Sequence, residues 1–217
     1  MDLRKLNWII IKTLNKIFQT SIFDEIYWKF RSCKGDWGKG TEYLDSINHS
    51  HRKAILDEVS EFDRGFSLLE VGCNSGPNLL KILEKHPYTR LAGIDINRKA
   101  VERGQRTGLD LKVGRADKLP YKDREFDIVL VDAVLMYIGP DKIRKVISEI
   151  GRMAKKKIII IDFHKEGVPA EGEVILGHWV RDYKKLLGNQ TRIRKLTKEE
   201  WDSYSWNKLG HLIVYEK

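Results

Sequence analysis

The stretch Leu68-Leu69-Glu70-Val71-Gly72-Cys73-Asn74-Ser75-Gly76-Pro77-Asn78 decides how the chain folds. An apolar run of strand length ends in a glycine-bearing turn, after which Leu79, Leu80, Ile82 and Leu83 recur at helical spacing. Pro77 falls in the first turn of that helix, where its missing N–H leaves no hydrogen bond unmade. Gly72 and Gly76 let the backbone approach a ligand closely, and the unpaired N–H groups of the helix start are donors for it. The spacing is Gly-x-x-x-Gly. It is neither the Gly-x-Gly-x-x-Gly turn of dinucleotide sites nor the Gly-Lys-Ser/Thr of a phosphate loop.

Outward from this turn, short apolar runs alternate with helix-length segments. The runs are Ser67–Val71, Leu91–Asp95, Leu111–Val113, Phe126–Asp132, Lys157–Phe163 and, later, Leu212–Tyr215. This alternation predicts βαβ units and a doubly wound, mainly parallel α/β sheet covered on both faces. Gly139-Pro140-Asp141 predicts another helix start before Ile143, Val146, Ile147 and Ile150, with Asp141 at its positive end. Upstream, Leu3, Leu6, Ile10, Leu14, Ile17 and Phe18 predict one helix, Ile22–Phe30 a second, and Asn48–Phe62 a third; 32–46 reads as loop.

Acids recur at the strand ends. Asp95 closes the second run about 20 residues beyond the glycine turn, where a carboxylate can take two ribose hydroxyls. Asp117 follows the third run, and Asp132-Ala133-Val134 closes the fourth. With these residues in place, about 65–163 resembles the class I S-adenosylmethionine-dependent methyltransferases. The resemblance implies a Rossmann-like, seven-stranded sheet with an antiparallel last strand, preceded by N-terminal helices. It implies a helical cap or lid over residues 1–62 and a cofactor-binding domain over 63–217. It implies S-adenosylmethionine as cofactor and S-adenosylhomocysteine as product, with contacts from Glu70, Gly72, Cys73, Asn74, Gly76, Asp95, Ile96, Ala116, Asp117, Asp132, Ala133 and Val134. Trp37 and His51 are expected to close over the methionine end. Asn74 stands where the family more often has glycine, a place that Asn's tolerance of left-handed angles allows.

A looser resemblance, in Trp37-Gly38…Tyr43…Ser46…His49-x-His51-Arg52, Tyr137–Lys142 and Gly177–Tyr183, points to a bacterial and archaeal subgroup that acts on cell-surface glycans or related metabolites. A small-molecule or glycan hydroxyl, with a lipid-linked one included, is the expected acceptor. Such a hydroxyl must lose a proton, and imidazole is the usual base at neutral pH. His164, after the fifth strand, and His178 are the candidate bases; Arg181 or Tyr137 would orient the acceptor. No metal site is expected, because His49 and His51 lack the spacing of a zinc helix and a nearby Cys pair; capping and surface packing is their expected role. Trp201 and Trp206 are expected to pack the last helix on the sheet.

The chain has 217 residues with 40 Lys+Arg against 31 Asp+Glu, a net charge of +9. Eight Lys/Arg against two acids fall within 142–165. The excess admits RNA, an anionic membrane or a phosphate-bearing acceptor as partner. RNA methylation is the alternative activity, and cofactor binding without catalysis a third reading. After the fourth strand, Asp132-Ala133-Val134-Leu135 lacks the Asp/Asn-Pro-Pro-aromatic segment of DNA amino-methylases and the Pro-Cys of cytosine methylases. Two cysteines, Cys33 and Cys73, suit reduced thiols in a cytoplasmic protein. No secretory signal or membrane span is read, while Trp8, Ile10, Ile11, Leu14 and Phe18 leave residues 1–20 a candidate for peripheral contact with the inner membrane face. The oligomeric state is left open.

Overall fold

The computed structural model describes residues 10, 13, 14, 16–31, 43–62 and 65–217. Trp8, Ile11, Cys33 and Trp37 lie outside the described residues, as does most of the segment expected to touch a membrane. The first element is helix α1 (Ile22–Phe30), and a 3-10 turn (Tyr43–Asn48) leads into α2 (Arg52–Val59). The core follows as β1 (Ser67–Val71), α3 (Pro77–Lys85), β2 (Arg90–Asp95), α4 (Arg98–Gln105), β3 (Asp110–Val113) and β4 (Phe126–Asp132). After a short 3-10 turn come α5 (Ile143–Met153), β5 (Ala154–Phe163), β6 (Glu173–Ile175), β7 (His178–Val180), α6 (Tyr183–Leu187), β8 (Arg192–Lys195), α7 (Tyr204–Leu209) and β9 (Gly210–Glu216).

Seven strands form one sheet in the order β3-β2-β1-β4-β5-β9-β8. β9 runs antiparallel to both of its neighbours, and the other pairings are parallel. The central strands are buried on both faces, which is why they read as unbroken apolar runs. Leu68 and Leu130 join the layer formed with Ala54, Leu79, Ile82 and Trp206. Their neighbours Leu69 and Val129 join the opposite layer with Val146 and Ile150 of α5. Each fully buried aliphatic side chain contributes about 1.5–3 kcal/mol, so the two layers hold the strand ends in fixed positions. The chain winds outward from β1 to β3 and returns to β4 beside β1, a switch point where a crevice opens at the carboxyl ends.

Several details differ from the sequence expectations. Ile143 begins α5, so Pro140 and Asp141 lie ahead of the helix. Asp141 instead accepts from the Ser21 N–H at 3.0 Å and the Ser21 hydroxyl at 3.1 Å, fastening the N-terminal segment. The other end of α1 is held by Asn97, whose amide donates to the carbonyls of Trp28 and Arg31, each at 3.0 Å. The expected irregular stretch 165–177 includes β6, which pairs with β7 as a separate two-stranded sheet. β8 was not apparent as a strand because its residues are Arg192-Ile193-Arg194-Lys195; it forms one edge, with Arg192 paired to Glu58 and Arg194 to Glu200, both at 2.7 Å. Among the described residues, no helix is long and apolar enough to cross a membrane.

Candidate active site

The carboxyl ends of β1, β2 and β4 open onto a cavity of about 570 Å³, with α1 as one of its walls. The glycine turn forms its floor. Gly72 takes φ +80°, and a Cβ there would stand 2.3 Å from Val134 Cγ2. The N–H groups of Gly72 and Cys73 both donate to Ile94 O, at 2.7 and 3.1 Å, which locks the turn to β2. Asn74 adopts φ +50°, as its expected tolerance allows. Asp95 accepts the Asn74 N–H at 2.8 Å on one oxygen and the Asn97 N–H at 2.7 Å on the other. Each oxygen keeps a further lone pair for a hydroxyl. Burial raises this carboxyl's pKa, and the backbone N–H donors oppose that rise.

At the next wall, Asp117 is engaged by Arg115, Nε to Oδ1 at 2.9 Å, and the Arg115 hydrogen bond holds it below the usual carboxylate range. Arg115 also reaches Glu25 of α1 at 2.7 Å, and Lys142 closes on the same Glu25. Here a charged strap joins α1 to the sheet.

Beneath the cavity lies a buried polar group. Asn78, on α3, donates through Nδ2 to Glu70 Oε1 at 2.7 Å and to Asp132 Oδ2 at 2.9 Å. Burial pushes the pKa of the Glu70 carboxyl well up, against the Asn78 hydrogen bond. Burial also works against the Asp132 charge, but His51, Asn78 and Arg52 outweigh it and hold the carboxyl below its ordinary value. Two like acids are thus pushed in opposite directions by their surroundings. His51 Nε2 lies 2.8 Å from Asp132 Oδ2, and His51 Nδ1 lies 2.6 Å from His49 Nδ1. Glu70 Oε2, Asp132 Oδ1, Asn78 Oδ1 and Arg52 Nε are buried with no hydrogen-bond partner among the described residues.

Above this floor the rings form a belt. Ring centroids are 4.3 Å apart for His51–Trp201, 3.7 Å for Trp201–Trp206, 4.7 Å for Trp206–Phe163 and 5.2 Å for Phe163–His178. The belt continues through His178–Tyr137 at 5.5 Å to Tyr137–Trp28 at 4.9 Å.

Most of the expected residues meet in this cavity: Glu70, Gly72, Cys73, Asn74, Asp95, Ile96, Ala116, Asp117, Asp132, Ala133, Val134 and His51 line it, with Tyr137 and His178 among the rings. Cys73 is buried, and burial raises its thiol pKa. Gly76 caps α3 at φ +82° and faces Leu109, away from the lining. His164 and Arg181 are not brought to the cavity. His164 Nδ1 lies 3.0 Å from Arg181 O. The buried Arg181 guanidinium donates to the carbonyls of Leu135, Ile138 and Glu171. Sequence reasoning missed Asn78, Arg52, His49 and Trp28 as lining residues. The Asn after Pro77 and the spacing His49-x-His51-Arg52 were visible signals, but their partners lie far away in the chain. Rather than capping at the surface, His51 is buried on a β-strand carboxylate. Among the described residues, no group of three or more His, Cys, Asp or Glu is arranged to hold a metal ion.

A family model described as a methyltransferase domain matches residues 68–157. The phthiotriol/phenolphthiotriol dimycocerosates methyltransferase 1 of Mycobacterium ulcerans is 39% identical over 93 residues, covering 40% of this chain and 32% of that protein. The demethylmenaquinone methyltransferase of Shouchella clausii is 27% identical over 168 residues, covering 72% of this chain and 68% of that one. Against three curated relatives, the mycobacterial protein among them, the chain spans 32%, 56% and 36% of their length. The solved magnesium protoporphyrin IX methyltransferase of Synechocystis PCC 6803, with bound S-adenosylmethionine, shares the fold at a TM-score of 0.58 and 15% identity, covering 95% of this chain and 97% of that one.

The cavity's donor set fits this cofactor. Asp95 can take the ribose hydroxyls, while Arg52 Nε can take a carboxylate and Glu70 Oε2 and Asp132 Oδ1 an ammonium, none of these three having a partner among the described residues. Gly72 leaves open the space that a Cβ would fill. Residues 68–157 thus match a methyltransferase domain, and the sheet around them has the fold of a solved S-adenosylmethionine-binding methyltransferase.

Proposed function

We propose that the protein methylates a hydroxyl of a small, ring-bearing acceptor. Bound in the cavity, S-adenosylmethionine supplies a methyl group on a sulfonium, open to in-line attack. Glu70, Asp95 and Arg52 hold the cofactor's polar ends, so that acceptor and methyl group meet in a fixed line. The observation that carries the acceptor reading is the belt from His51 through Trp201, Trp206, Phe163, His178 and Tyr137 to Trp28. Its faces and edges suit a flat ring or the apolar face of a sugar. His178 Nδ1 lies 2.9 Å from Leu176 O, which fixes the proton on that nitrogen and holds the ring against Tyr137 at the cavity wall. Tyr137 beside it orients the acceptor hydroxyl.

A lipid-linked acceptor is a second reading, favoured by one observation. Ile22, Ile26 and Phe30 of α1, with Phe18 before them, are exposed at four-residue steps, as an interfacial helix would place them. The named relatives act on a lipid and on a quinone precursor by their descriptions. In this proposal, residues 1–62 cap the cofactor domain. Transfer of labelled methyl into separate pools of phenols and quinols, lipid-linked glycans, nucleotide sugars and RNA tests the reading. Label in a ring-bearing hydroxyl pool supports it, and label in RNA alone overturns it.

A further inference from the structure

α1 turns two unlike sides to its surroundings. Asp24, Glu25 and Trp28 line the cavity, and Arg115 and Lys142 hold Glu25 in place. Ile22, Ile26 and Phe30 follow one another at four-residue steps and so share one side, on which they are 48%, 52% and 75% exposed. Phe18, just ahead of the helix, is exposed as well, and its ring centroid lies 6.3 Å from that of Phe23. Single apolar side chains in water are ordinary, whereas a row of them along one helix marks a surface that binds something. The charges are sorted too. Over 16–31 the acids are Asp24 and Glu25, both on the cavity side, so the exposed positions carry no carboxylate. Lys16 and Lys29 are exposed, and Lys29 Nζ stands 5.6 Å from the Phe30 ring centroid.

We propose that this side of α1 docks on an anionic bilayer, lying in its plane with Ile22, Ile26 and Phe30 at the acyl boundary and the lysines among the headgroup phosphates. The proposal rests for its purpose on the lipid-linked reading of the acceptor and names the partner of that same cavity. Apolar side chains edged by lysines, with the acids withdrawn, match a surface that is apolar beneath and negative above. A second copy is a poorer match, because a two-fold contact through this side sets Lys16 and Lys29 near their own equivalents. The helix is also a wall of the cavity. Trp28 meets Tyr137 at 4.9 Å between ring centroids, and Asp141 and Asn97 fasten the two ends of α1. Docking therefore sets that wall at the headgroup layer, within reach of a hydroxyl on a lipid-anchored acceptor. One helix of this length buries few side chains, so the attachment is reversible.

Co-sedimentation of the protein with vesicles tests the docking without any acceptor. Vesicles of phosphatidylcholine with about one-third phosphatidylglycerol are expected to carry the protein down, and phosphatidylcholine alone to carry about fivefold less. Ile26→Glu with Phe30→Glu should weaken binding to the mixed vesicles about tenfold or more, and Lys29→Gln about fivefold. None of these three residues lines the cavity, so S-adenosylmethionine affinity by calorimetry should stay within about twofold of wild type, which also shows that the variants fold. Protein that stays in the supernatant, or a double variant that sediments like wild type, overturns the proposal. So does a dimer, seen by analytical ultracentrifugation and abolished by the same double variant, in protein that does not sediment with vesicles. Label in water-soluble acceptors alone, from protein that does sediment, removes the lipid-linked acceptor and leaves the docking standing.

Discussion

The carboxylate of Glu25 on α1 receives Arg115 Nη1 at 2.7 Å, across 90 residues of sequence. Arg115 is also the residue that engages Asp117, so one guanidinium ties the helical wall to the strand-end acid. The pair is partly exposed, and screening limits such a contact to about 0.2–1 kcal/mol. Glu25→Gln is therefore expected to weaken S-adenosylmethionine binding about two- to fivefold in low salt. The loss should shrink in high salt, where wild type gives up the same attraction. Titration calorimetry at two ionic strengths checks both halves, and equal affinities in low salt would remove the strap from the account.

Gly72→Ala would combine a strained φ of +80° with a Cβ only 2.3 Å from Val134 Cγ2. The expected cost is about 2–4 kcal/mol of stability. Val134→Ala in the same chain removes the steric part and leaves the backbone strain. Melting of the two single variants and the double should therefore show the double less destabilised than the sum. Strict additivity would place the clash elsewhere.

Asp95→Ala deletes a carboxylate that accepts two backbone N–H groups and is positioned for a diol. Cofactor affinity should drop about 10- to 1000-fold, since each hydrogen bond to a charged group is worth about 1.5–3 kcal/mol. Calorimetry on folded variant protein, verified by circular dichroism, measures this. Retention of wild-type affinity would take the ribose role from Asp95.

Arg181 separates a bracing role from an orienting one. Its Nη1 meets Leu135 O at 2.7 Å and its Nε meets Glu171 O at 3.2 Å, with no exposed surface on the side chain. Arg181→Met leaves those carbonyls and the nearby Asp162 without their partner, which should cost about 3–5 kcal/mol. The denaturation midpoint should fall accordingly. An unchanged midpoint with lost turnover would return Arg181 to acceptor binding.

His49 has a pKa of about 4 when folded against 6.5 for a free imidazole, with burial as the first cause. Between those values the unfolded chain binds a proton that the folded one refuses. Stability from this group is therefore complete above pH 6.5 and is lost as pH falls through 4. His164 and His211 are lowered in the same direction, also through burial, whereas burial raises Asp162 to about 7 and raises Glu70 too, with opposite sign. Unfolding free energies of wild type minus His49→Gln isolate the one residue. The difference should decline from pH 6.5 to pH 4, and a level difference would contradict the burial of His49.

The strands that place the site were legible because central parallel strands must be apolar on both faces, so Leu68–Val71 and Ile158–Ile161 stand out from any neighbour. Asp95 was legible because it sits at a fixed distance past the glycine turn. His51 was not legible as a carboxylate partner, because Asp132 is 81 residues away and only the fold brings them to 2.8 Å. The fastening of α1 by Asp141 and Asn97 was hidden for the same reason, and Asp141 read as an ordinary helix-start acid. Arg181 misled in the other direction: cations near a strand end suggest a ligand, while here the charge serves backbone carbonyls.

The sheet ends on β8, where three of four side chains are cationic and Arg192 and Arg194 are each engaged by a carboxylate. A strand from another copy that sought the open amides of this edge would have to break two ion pairs and align like charges against like. Part of the chain's positive surplus thus acts as insulation, keeping an otherwise extendable ladder from propagating between molecules.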